Sequence, residues 1–286
     1  MASGFIKSFD GTKIFYNVEG EGPPLLFLYG LVCSHLHWQY QLEYFKKNYT
    51  VVWLDYRGHH NSETPKDSSS MTIENLARDA HIVLDELKIS KVDVLGHSIG
   101  VTVALEVYRQ QPDRVRSIVL ANGVARAPLE ALLKTNIPQY LHPLLFELYK
   151  RAPQLMNTLW ASQASNPLVY ELISRFGFNA GLAKKKDIED YIKNFSKLEI
   201  LVFLEVMKSY EKYNAVPWLD QIKAPTLLIA GENDWVTPKE TQELIHQLIP
   251  GSQLELIRKG SHCPQLDIPD LINAIIERFL NGVKTR

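Results

Sequence analysis

The segment GHSIG, residues 96–100, places Ser98 where an apolar run gives way to an amphipathic one. A strand that ends at Leu95 and a helix that begins near Ile99 leave only a tight turn between them, which strains the serine backbone and exposes its hydroxyl. The flanking glycines remove side chains where the strand and helix backbones approach each other. The amino terminus of the helix adds positive potential where an oxyanion would form. The pattern predicts a nucleophilic serine, with a purely structural turn serine as the alternative.

A serine nucleophile needs two partners that lie elsewhere in the chain. The hydroxyl reacts at neutral pH only when a histidine takes its proton, and that histidine needs an acid to fix its tautomer. Asp234 comes just after one apolar strand and His262 just after the next, so both stand at the carboxyl ends of strands, as Ser98 does. We predict Ser98, Asp234 and His262 as the catalytic residues. Asp220 precedes its strand and Glu232 comes too early in its loop, so neither is the preferred acid.

Six short apolar runs supply the strands that would position these residues. They alternate with helical patterns, one of which follows Thr72, a residue type that caps helices. Such alternation favours an α/β fold with a mostly parallel central sheet and helices on both of its faces. Two further β-prone segments flank Asp10-Gly11 and predict a hairpin at a sheet edge. The six runs are residues 24–30, 49–55, 91–96, 115–122, 224–231 and 252–257.

The alternation stops between about residues 123 and 217, where helical patterns follow one another without a clear strand. We therefore expect residues 1–122 and 218–286 to form one core, and residues 123–217 to form a helical cap inserted into it. Residues 198–207, LEILVFLEVM, are apolar nearly all round, so a helix here would be covered on two sides. It would either be sandwiched between cap and core or form the wall of a ligand cavity.

With three further segments, the chain resembles the α/β-hydrolase superfamily, in which nucleophile, acid and histidine follow in that order. Residues 55–62, DYRGHHNS, are similar to the family segment D-x-R-G-x-G-x-S. Residues 231–238, GENDWVTP, are similar to its acid loop, and residues 260–269, GSHCPQLDIP, to its histidine segment. The resemblance covers nearly the whole chain. It implies an esterase-like, lipase-like or C–C hydrolase-like member with a helical cap.

The resemblance also implies an oxyanion hole made by the backbone N–H groups of Leu31 and Ile99. Two positions depart from the family pattern. Tyr29-Gly30 stands where His-Gly is usual, and His60 stands where glycine is usual. We expect Tyr29 and Gly30 to contact the substrate, with simple packing of the tyrosine, or a hydroxyl near the oxyanion, as alternatives. From the sequence alone, these backbone donors are expected to be independent of either side chain.

No cofactor and no metal are expected. The four histidines of the loops at residues 35–37 and 59–60 lack carboxylate or thiolate partners at ligand spacing. His97 is expected to pack or hydrogen-bond beneath the nucleophile rather than act as the base. Some members of the superfamily carry the acid at the position of Asn122, but a neutral amide cannot balance an imidazolium charge, which favours Asp234.

Composition limits the partners. Among 286 residues, 45% are apolar and 22% charged, and the net charge is −1, so the basic surplus that nucleic acid or anionic membrane selects is missing. No run reaches the length of a membrane span, and the start lacks an apolar signal core. With only Cys33 and Cys263, both expected near the pocket, the sequence suggests a reducing, cytoplasmic location.

These observations predict a serine hydrolase that cleaves carboxylic esters of apolar acyl or aryl substrates through an acyl-enzyme on Ser98. A C–C bond hydrolase or a lactonase with the same three residues is an alternative reaction, and a ligand-binding module without turnover is an alternative class. The expected partner is a small-molecule ester or related carbonyl compound. The sequence does not indicate an oligomeric state.

Overall fold

The centre of the fold is one sheet of eight strands. The computed structural model describes residues 2–126 and 137–284. The strands are β1 (Ala2–Lys7), β2 (Lys13–Glu19), β3 (Pro24–Leu28), β4 (Thr50–Leu54), β5 (Val92–His97), β6 (Val115–Ala121), β7 (Thr226–Gly231) and β8 (Gln253–Ile257). Their order in the sheet is β1-β2-β4-β3-β5-β6-β7-β8. The β1–β2 and β2–β4 pairs are antiparallel and all the others are parallel. The predicted mostly parallel α/β sheet and its edge hairpin are confirmed.

Eleven α-helices accompany the sheet in the described part of the chain. They are α1 (Gln39–Phe45), α2 (Ile73–Glu86), α3 (Ile99–Gln110), α4 (Ile137–Arg151), α5 (Pro153–Ser162), α6 (Pro167–Gly177), α7 (Lys185–Lys197), α8 (Ile200–Lys212), α9 (Lys239–Leu248), α10 (Pro264–Asp267) and α11 (Pro269–Lys284). Helices α2 and α3 pack against each other, as do α1 and α11. Strands β3, β5, β6 and β7 are buried along nearly their whole length, as expected for central strands that helices cover on both faces.

Helix α2 shows how the sequence sets the local structure. Thr72 is extended and its hydroxyl accepts the backbone N–H of Asn75, which satisfies one of the free donors of the first turn. The apolar residues that follow fall on one face and are buried against the core. These buried apolar residues are Ile73, Leu76, Ala77, Ala80, Val83 and Leu84.

A buried ion pair ties the β1–β2 hairpin to α2. Arg57 Nε and Nη2 each donate to a different carboxylate oxygen of Asp79 at 2.7 Å, and both side chains are fully buried. Arg57 also donates to Asp10 in the hairpin turn at 2.9 Å and to Ser8 at 3.0 Å. The two parallel bonds to Asp79 fix the guanidinium. Its bonds to Asp10 and Ser8 connect the hairpin to this ion pair.

Helices α4 to α8, residues 137–212, lie between β6 and β7 in the chain although these strands are neighbours in the sheet. We call these five helices the helical insertion. Its two connections to the core run side by side, because Arg126 and Asn214 form an antiparallel bridge and Ala215 N–H donates to Ala125 O at 2.8 Å. The boundaries of the core at residues 1–122 and 218–286, and of the cap at 123–217, stay predictions. Residues 127–136 lie outside the described part.

Candidate active site

Ser98 occupies a strained turn between β5 and α3. Its φ is 58° and its ψ is −122°, a combination that most side chains avoid. A side chain at Gly96 would place its Cβ 2.3 Å from Gly100 O, and one at Gly100 would place its Cβ 2.3 Å from Leu28 O. The two glycines are therefore required by close backbone approach, as the sequence predicts. The serine hydroxyl projects from this turn at the amino terminus of α3.

The structure brings the three predicted catalytic side chains into one hydrogen-bonded line. Ser98 Oγ lies 3.1 Å from His262 Nε2, and His262 Nδ1 lies 2.9 Å from Asp234 Oδ2. A carboxylate oxygen only accepts, so neutral His262 carries its proton on Nδ1 and accepts the serine hydroxyl at Nε2. This is the tautomer that a general base for Ser98 requires. The other candidate acids, Asp220 and Glu232, are both exposed.

Three donors fix the Asp234 carboxylate. The N–H groups of Val236 and Thr237 donate to Oδ1 at 2.7 and 2.8 Å. The Thr237 hydroxyl donates to Oδ2 at 2.8 Å and lies 3.3 Å from His262 Nδ1. Hydrogen bonds to the charged form stabilise a buried carboxylate. Oδ2 is thereby held toward His262.

The backbone of His262 is clamped from the ends of two strands. Asn122 follows β6, and its amide donates to the carbonyl oxygens of Ser261 and His262 at 2.7 and 2.9 Å. His97 ends β5, and its Nε2 lies 2.8 Å from His262 O, so this nitrogen carries the proton. Burial, together with the neighbouring imidazoles of His262 and His37, holds the pKa of His97 well below its usual range. His97 is therefore a neutral hydrogen-bond donor to the His262 backbone.

Two backbone donors are placed beside the serine. Ile99 is the first residue of α3, so its N–H has no partner within the helix. Leu31 follows Gly30, where an added Cβ would lie 3.1 Å from Ser98 Cβ. Within residues 2–126 and 137–284, the N–H groups of Leu31 and Ile99 donate to no other backbone or side-chain group. They match the donors expected for an oxyanion hole.

The position of Tyr29 differs from the prediction that this residue contacts the substrate. Tyr29 is fully buried and lies outside the cavity lining, as does Gly30. Its hydroxyl donates to Asp55 at 3.2 Å and accepts the Tyr56 N–H at 3.1 Å, and the Tyr29 and Tyr56 rings lie 4.6 Å apart. The side chain turns into the core because Asp55 and Tyr56 satisfy its hydroxyl there. Packing, the simpler alternative, describes Tyr29.

A cavity of about 600 Å³ opens above Ser98 and His262. Its wall is mostly apolar, and among the residues that the structure describes none of those lining it is Lys, Arg, Asp or Glu. Among the loop histidines, His37 lines the cavity, and burial lowers the pKa of His37 to about 3, so it stays neutral. His35 instead stacks on Trp53 with the ring centres 4.2 Å apart. The apolar lining consists of Leu31, Val32, Ile99, Leu172, Ile173, Phe176, Phe178, Phe203, Met207, Trp235 and Val236.

Helix α8 combines the two roles that the sequence leaves open. Val202 and Val206 are buried in the main core. Phe203, Met207 and Tyr210, from the same helix, line the cavity. An all-round apolar helix is thus covered by core on one side and forms a cavity wall on the other.

Both cysteines are free, buried and part of the cavity lining. Burial raises the pKa of Cys33, and burial together with nearby Cys33, Asp267 and Asp234 raises that of Cys263. Among the described residues, no group of three or more His, Cys, Asp or Glu side chains is arranged to hold a metal ion. The same residues contain no helix that is both long and apolar enough to cross a membrane.

Sequence reasoning missed two contributors to this geometry. Thr237 was not singled out, although a hydroxyl three residues after the acid is a signal for a local side-chain hydrogen bond. Asn122 was considered only as a position for the acid, whereas its amide holds the His262 backbone and accepts the Gly231 N–H at 2.8 Å.

Comparisons with known proteins agree with this architecture. The chain is 27% identical over 277 residues to epoxide hydrolase 4 of Mus musculus, which covers 94% of this chain and 77% of that protein. It is 25% identical over 272 residues to the putative carbamate hydrolase RutD of Azorhizobium caulinodans, covering 95% and 96%. The structure of an esterase from Exiguobacterium antarcticum superimposes with a TM-score of 0.78 at 23% identity, covering 99% and 100%. At that identity the superposition shows the fold alone.

A family model provides the assignment. The model described as alpha/beta hydrolase fold matches residues 23–269, a range that runs from β3 past His262. This chain belongs to the alpha/beta hydrolase fold family.

Proposed function

We propose that this hydrolase cleaves carboxylic esters of apolar acyl or aryl substrates through an acyl-enzyme on Ser98. The observation that carries the proposal is the hydrogen-bonded line from Ser98 Oγ through His262 to Asp234, with distances of 3.1 and 2.9 Å. A nucleophile, a base in the required tautomer and an acid that orients the base form the minimal set for acyl transfer. The N–H groups of Leu31 and Ile99, which donate to no other group in the described part of the chain, are proposed to supply the donors that a developing oxyanion needs.

The first half of the reaction acylates the serine. Ser98 Oγ bonds to the carbonyl carbon while its proton passes to His262 Nε2, and the carbonyl oxygen becomes an oxyanion between the two backbone donors. The imidazolium is stabilised by Asp234, which remains a carboxylate. When the intermediate collapses, the bond to the alcohol oxygen breaks and His262 returns the proton to the leaving alcohol. The product of this half is an ester of Ser98.

The second half uses water as the nucleophile. His262 Nε2 takes a proton from water, the hydroxyl adds to the acyl carbon, and the same donors hold the second oxyanion. Collapse breaks the bond to Ser98 Oγ, which regains the proton from His262, and the carboxylic acid leaves. The proton of Ser98 thus leaves with the alcohol and is replaced by a proton from water. Both proton transfers pass through His262, so Ser98 and His262 end the cycle in their starting states.

The cavity supports the choice of substrate. The part of its lining that the structure describes is mostly apolar and contains no charged Lys, Arg, Asp or Glu side chain, so a phosphorylated or multiply charged acyl group would lose its hydration without gaining a partner there. A volume of about 600 Å³ lies in the range of small-molecule sites. Uncharged alkyl or aryl acyl groups fit this environment.

The chemistry of serine favours a carbonyl over an epoxide, despite the name of one relative. A serine oxygen that opened an epoxide would form an ether, which water does not cleave under these conditions, and turnover would stop. An acyl-serine is an ester and is readily hydrolysed. Carbamates, named in the other relative, contain a carbonyl and are compatible with the same steps.

The test is a panel of p-nitrophenyl esters from acetate to decanoate, with lactones, carbamates, epoxides and vinylogous diketones beside them. We expect the wild type to cleave the esters and the Ser98→Ala variant to lose at least about a thousandfold in kcat. A fluorophosphonate probe, located by peptide mass spectrometry, should label Ser98. Ligand binding without turnover of any compound would instead favour a binding module, and labelling of another residue with Ser98 unmodified would reject the nucleophile.

A further inference from the structure

The loop after β3, residues 30–34, contains Leu31, whose N–H is one of the two donors of the proposed oxyanion hole. A backbone donor stabilises an oxyanion only when it points at the position that the oxygen will occupy. The structural elements that fix the direction of the Leu31 N–H therefore contribute to the rate, although they do not touch the substrate. This inference rests on the proposed function.

The direction of the Leu31 N–H depends on Cys33. Gly30 O accepts the Cys33 N–H at 3.2 Å, which closes a tight turn. Because the peptide joining Gly30 to Leu31 is planar and trans, its N–H points opposite to its carbonyl oxygen. Holding Gly30 O toward Cys33 therefore directs the Leu31 N–H away from the turn. Movement of the Cys33 backbone would redirect this donor.

His60 holds Cys33 from the other side. Its Nε2 lies 2.7 Å from Cys33 O, and since a carbonyl only accepts, this nitrogen carries the proton. His60 has a φ of 47°, in the left-handed region that glycine adopts without steric cost. Glycine is also the usual residue here in the family segment that the sequence resembles. The backbone thus suits glycine, while the imidazole makes a short hydrogen bond that glycine cannot make.

Tyr29, the other position that departs from the family pattern, lies next to His60. The Tyr29 and His60 rings are 6.3 Å apart in an edge-to-face arrangement. Tyr56 Oη donates to Tyr29 O at 3.0 Å, just before the loop begins. Hydrogen bonds therefore hold the loop at both ends. Tyr56 bonds to Tyr29 O and His60 bonds to Cys33 O, and in each case the two residues are 27 positions apart in the sequence.

We infer that His60 is a positioning residue, which directs the Leu31 N–H toward the oxyanion through its hydrogen bond to Cys33 O. Tyr29 and His60 stand where the family pattern has a histidine and a glycine, and their rings contact each other beside this loop. His60 acts in the transition state rather than in ground-state binding, because the Leu31 donor strengthens its bond as charge develops on the oxygen.

The experiment compares His60→Gly and His60→Gln with the wild type, using p-nitrophenyl butyrate kinetics and thermal unfolding. Glycine relieves the left-handed backbone but removes the hydrogen bond, so we expect kcat to fall about tenfold or more while KM stays within about twofold. The melting temperature of the glycine variant should not fall below that of the wild type. Glutamine can place an amide N–H near the position of Nε2, so its kcat should lie within about threefold of the wild type.

A matched control and a second readout complete the test. Lys88 is exposed, has a φ of 55° and lies outside the site, so Lys88→Gly changes the same backbone feature and should leave the kinetics unchanged. An alkyl trifluoromethyl ketone, which forms an oxyanion on Ser98, should bind more weakly to His60→Gly in proportion to the loss of kcat/KM. If His60→Gly and His60→Gln lost activity equally and the melting temperature of the glycine variant fell below that of the wild type, the role of His60 would be merely structural.

The remaining outcomes separate the two proposals. An active wild type with an equally active His60→Gly variant would overturn the role of His60 alone. A wild type that turns over no carbonyl compound and leaves Ser98 unlabelled by the fluorophosphonate would overturn the proposed function and this inference with it.

Discussion

The hydroxyl of Thr237 donates to the same Asp234 oxygen, Oδ2, that accepts the Nδ1 proton of His262. Replacing Thr237 with valine removes this donor and keeps the shape of the side chain. We expect kcat/KM for p-nitrophenyl butyrate to fall about three- to tenfold, which corresponds to a net loss of about 1 kcal/mol. The backbone donors of Val236 and Thr237 remain, so the loss should be partial. Thr237→Ser keeps the hydroxyl and serves as the control, and equal losses in both variants would contradict this role.

The choice of acid is tested by three amide substitutions. Asp234→Asn leaves the shape of the site but favours the wrong tautomer of His262, so kcat should fall about 10⁴-fold. Asp220→Asn and Glu232→Gln change exposed carboxylates outside the hydrogen-bonded line and should retain wild-type rates. Steady-state kinetics on one ester decide the matter. A large loss in either control, with Asp234→Asn active, would assign the role of the acid to that residue instead.

The thiols of Cys33 and Cys263 should react slowly with iodoacetamide. Burial raises the pKa of both, so almost no thiolate exists near pH 7. The labelling rate should keep rising with pH above about 9.5, where an ordinary cysteine with a pKa of about 8.5 has levelled off. Once attached, the label occupies the cavity and should reduce activity in step with labelling. The Cys33→Ala, Cys263→Ala double variant is the control, and full activity in a doubly labelled wild type would reject the cavity position.

The Met207 side chain on α8 should set the preferred acyl length. Met207→Ala widens the cavity and Met207→Phe narrows it, since this residue lines the wall. The ratio of kcat/KM for octanoate to that for butyrate should rise about three- to tenfold in the alanine variant and fall by a similar factor in the phenylalanine variant. Initial rates with the two p-nitrophenyl esters give both ratios. Shifts in the same direction in both variants would mean that the acyl chain lies elsewhere.

Two ion pairs on α2 differ in burial although their shortest distances are both 2.7 Å. Asp79 pairs with Arg57 where both side chains are fully buried, whereas the Asp85 partner of Arg114 is 66% exposed. Asp79→Asn should lower the free energy of unfolding by about 3–5 kcal/mol, because it removes the fully buried carboxylate of the pair and leaves the buried guanidinium with only the partly exposed Asp10 as charge partner. Asp85→Asn should cost at most about 1 kcal/mol. Urea unfolding followed by circular dichroism measures both, and similar losses would show that burial does not decide the difference.

The sheet and the position of the three reactive side chains could be predicted from the sequence because each depends on local signals. Buried parallel strands are largely apolar runs, and each of the three residues comes soon after one: Ser98 directly follows β5, Asp234 follows the end of β7 by three residues and His262 follows the end of β8 by five. A parallel sheet gathers the carboxyl ends of its strands at one edge, so residues far apart in the chain become neighbours. The strained φ of Ser98 also follows from the short turn and its glycines.

The hydrogen bonds that hold the loops could not be predicted, because they join residues far apart in the sequence and no local sequence pattern indicates them. The sequence predicts that Tyr29 contacts the substrate, but its hydroxyl donates a hydrogen bond to Asp55, which lies 26 residues away in the sequence. The bonds from His60 to Cys33 O and from Asn122 to His262 O depend in the same way on the relative placement of distant strands. Side-chain direction in a buried site is decided by such tertiary partners rather than by residue type.

The narrow base of the helical insertion has a consequence for how this protein can diversify. Since Arg126 and Asn214 bridge the outgoing and returning chain, another set of helices spliced between these two points would meet an unchanged sheet. Ser98, His262 and Asp234, the proposed nucleophile, base and acid, all lie outside the region between these two points. Under the proposed function, recombination at this junction would exchange part of the cavity wall, and with it the range of substrates, while the residues of the bond-breaking steps stayed the same.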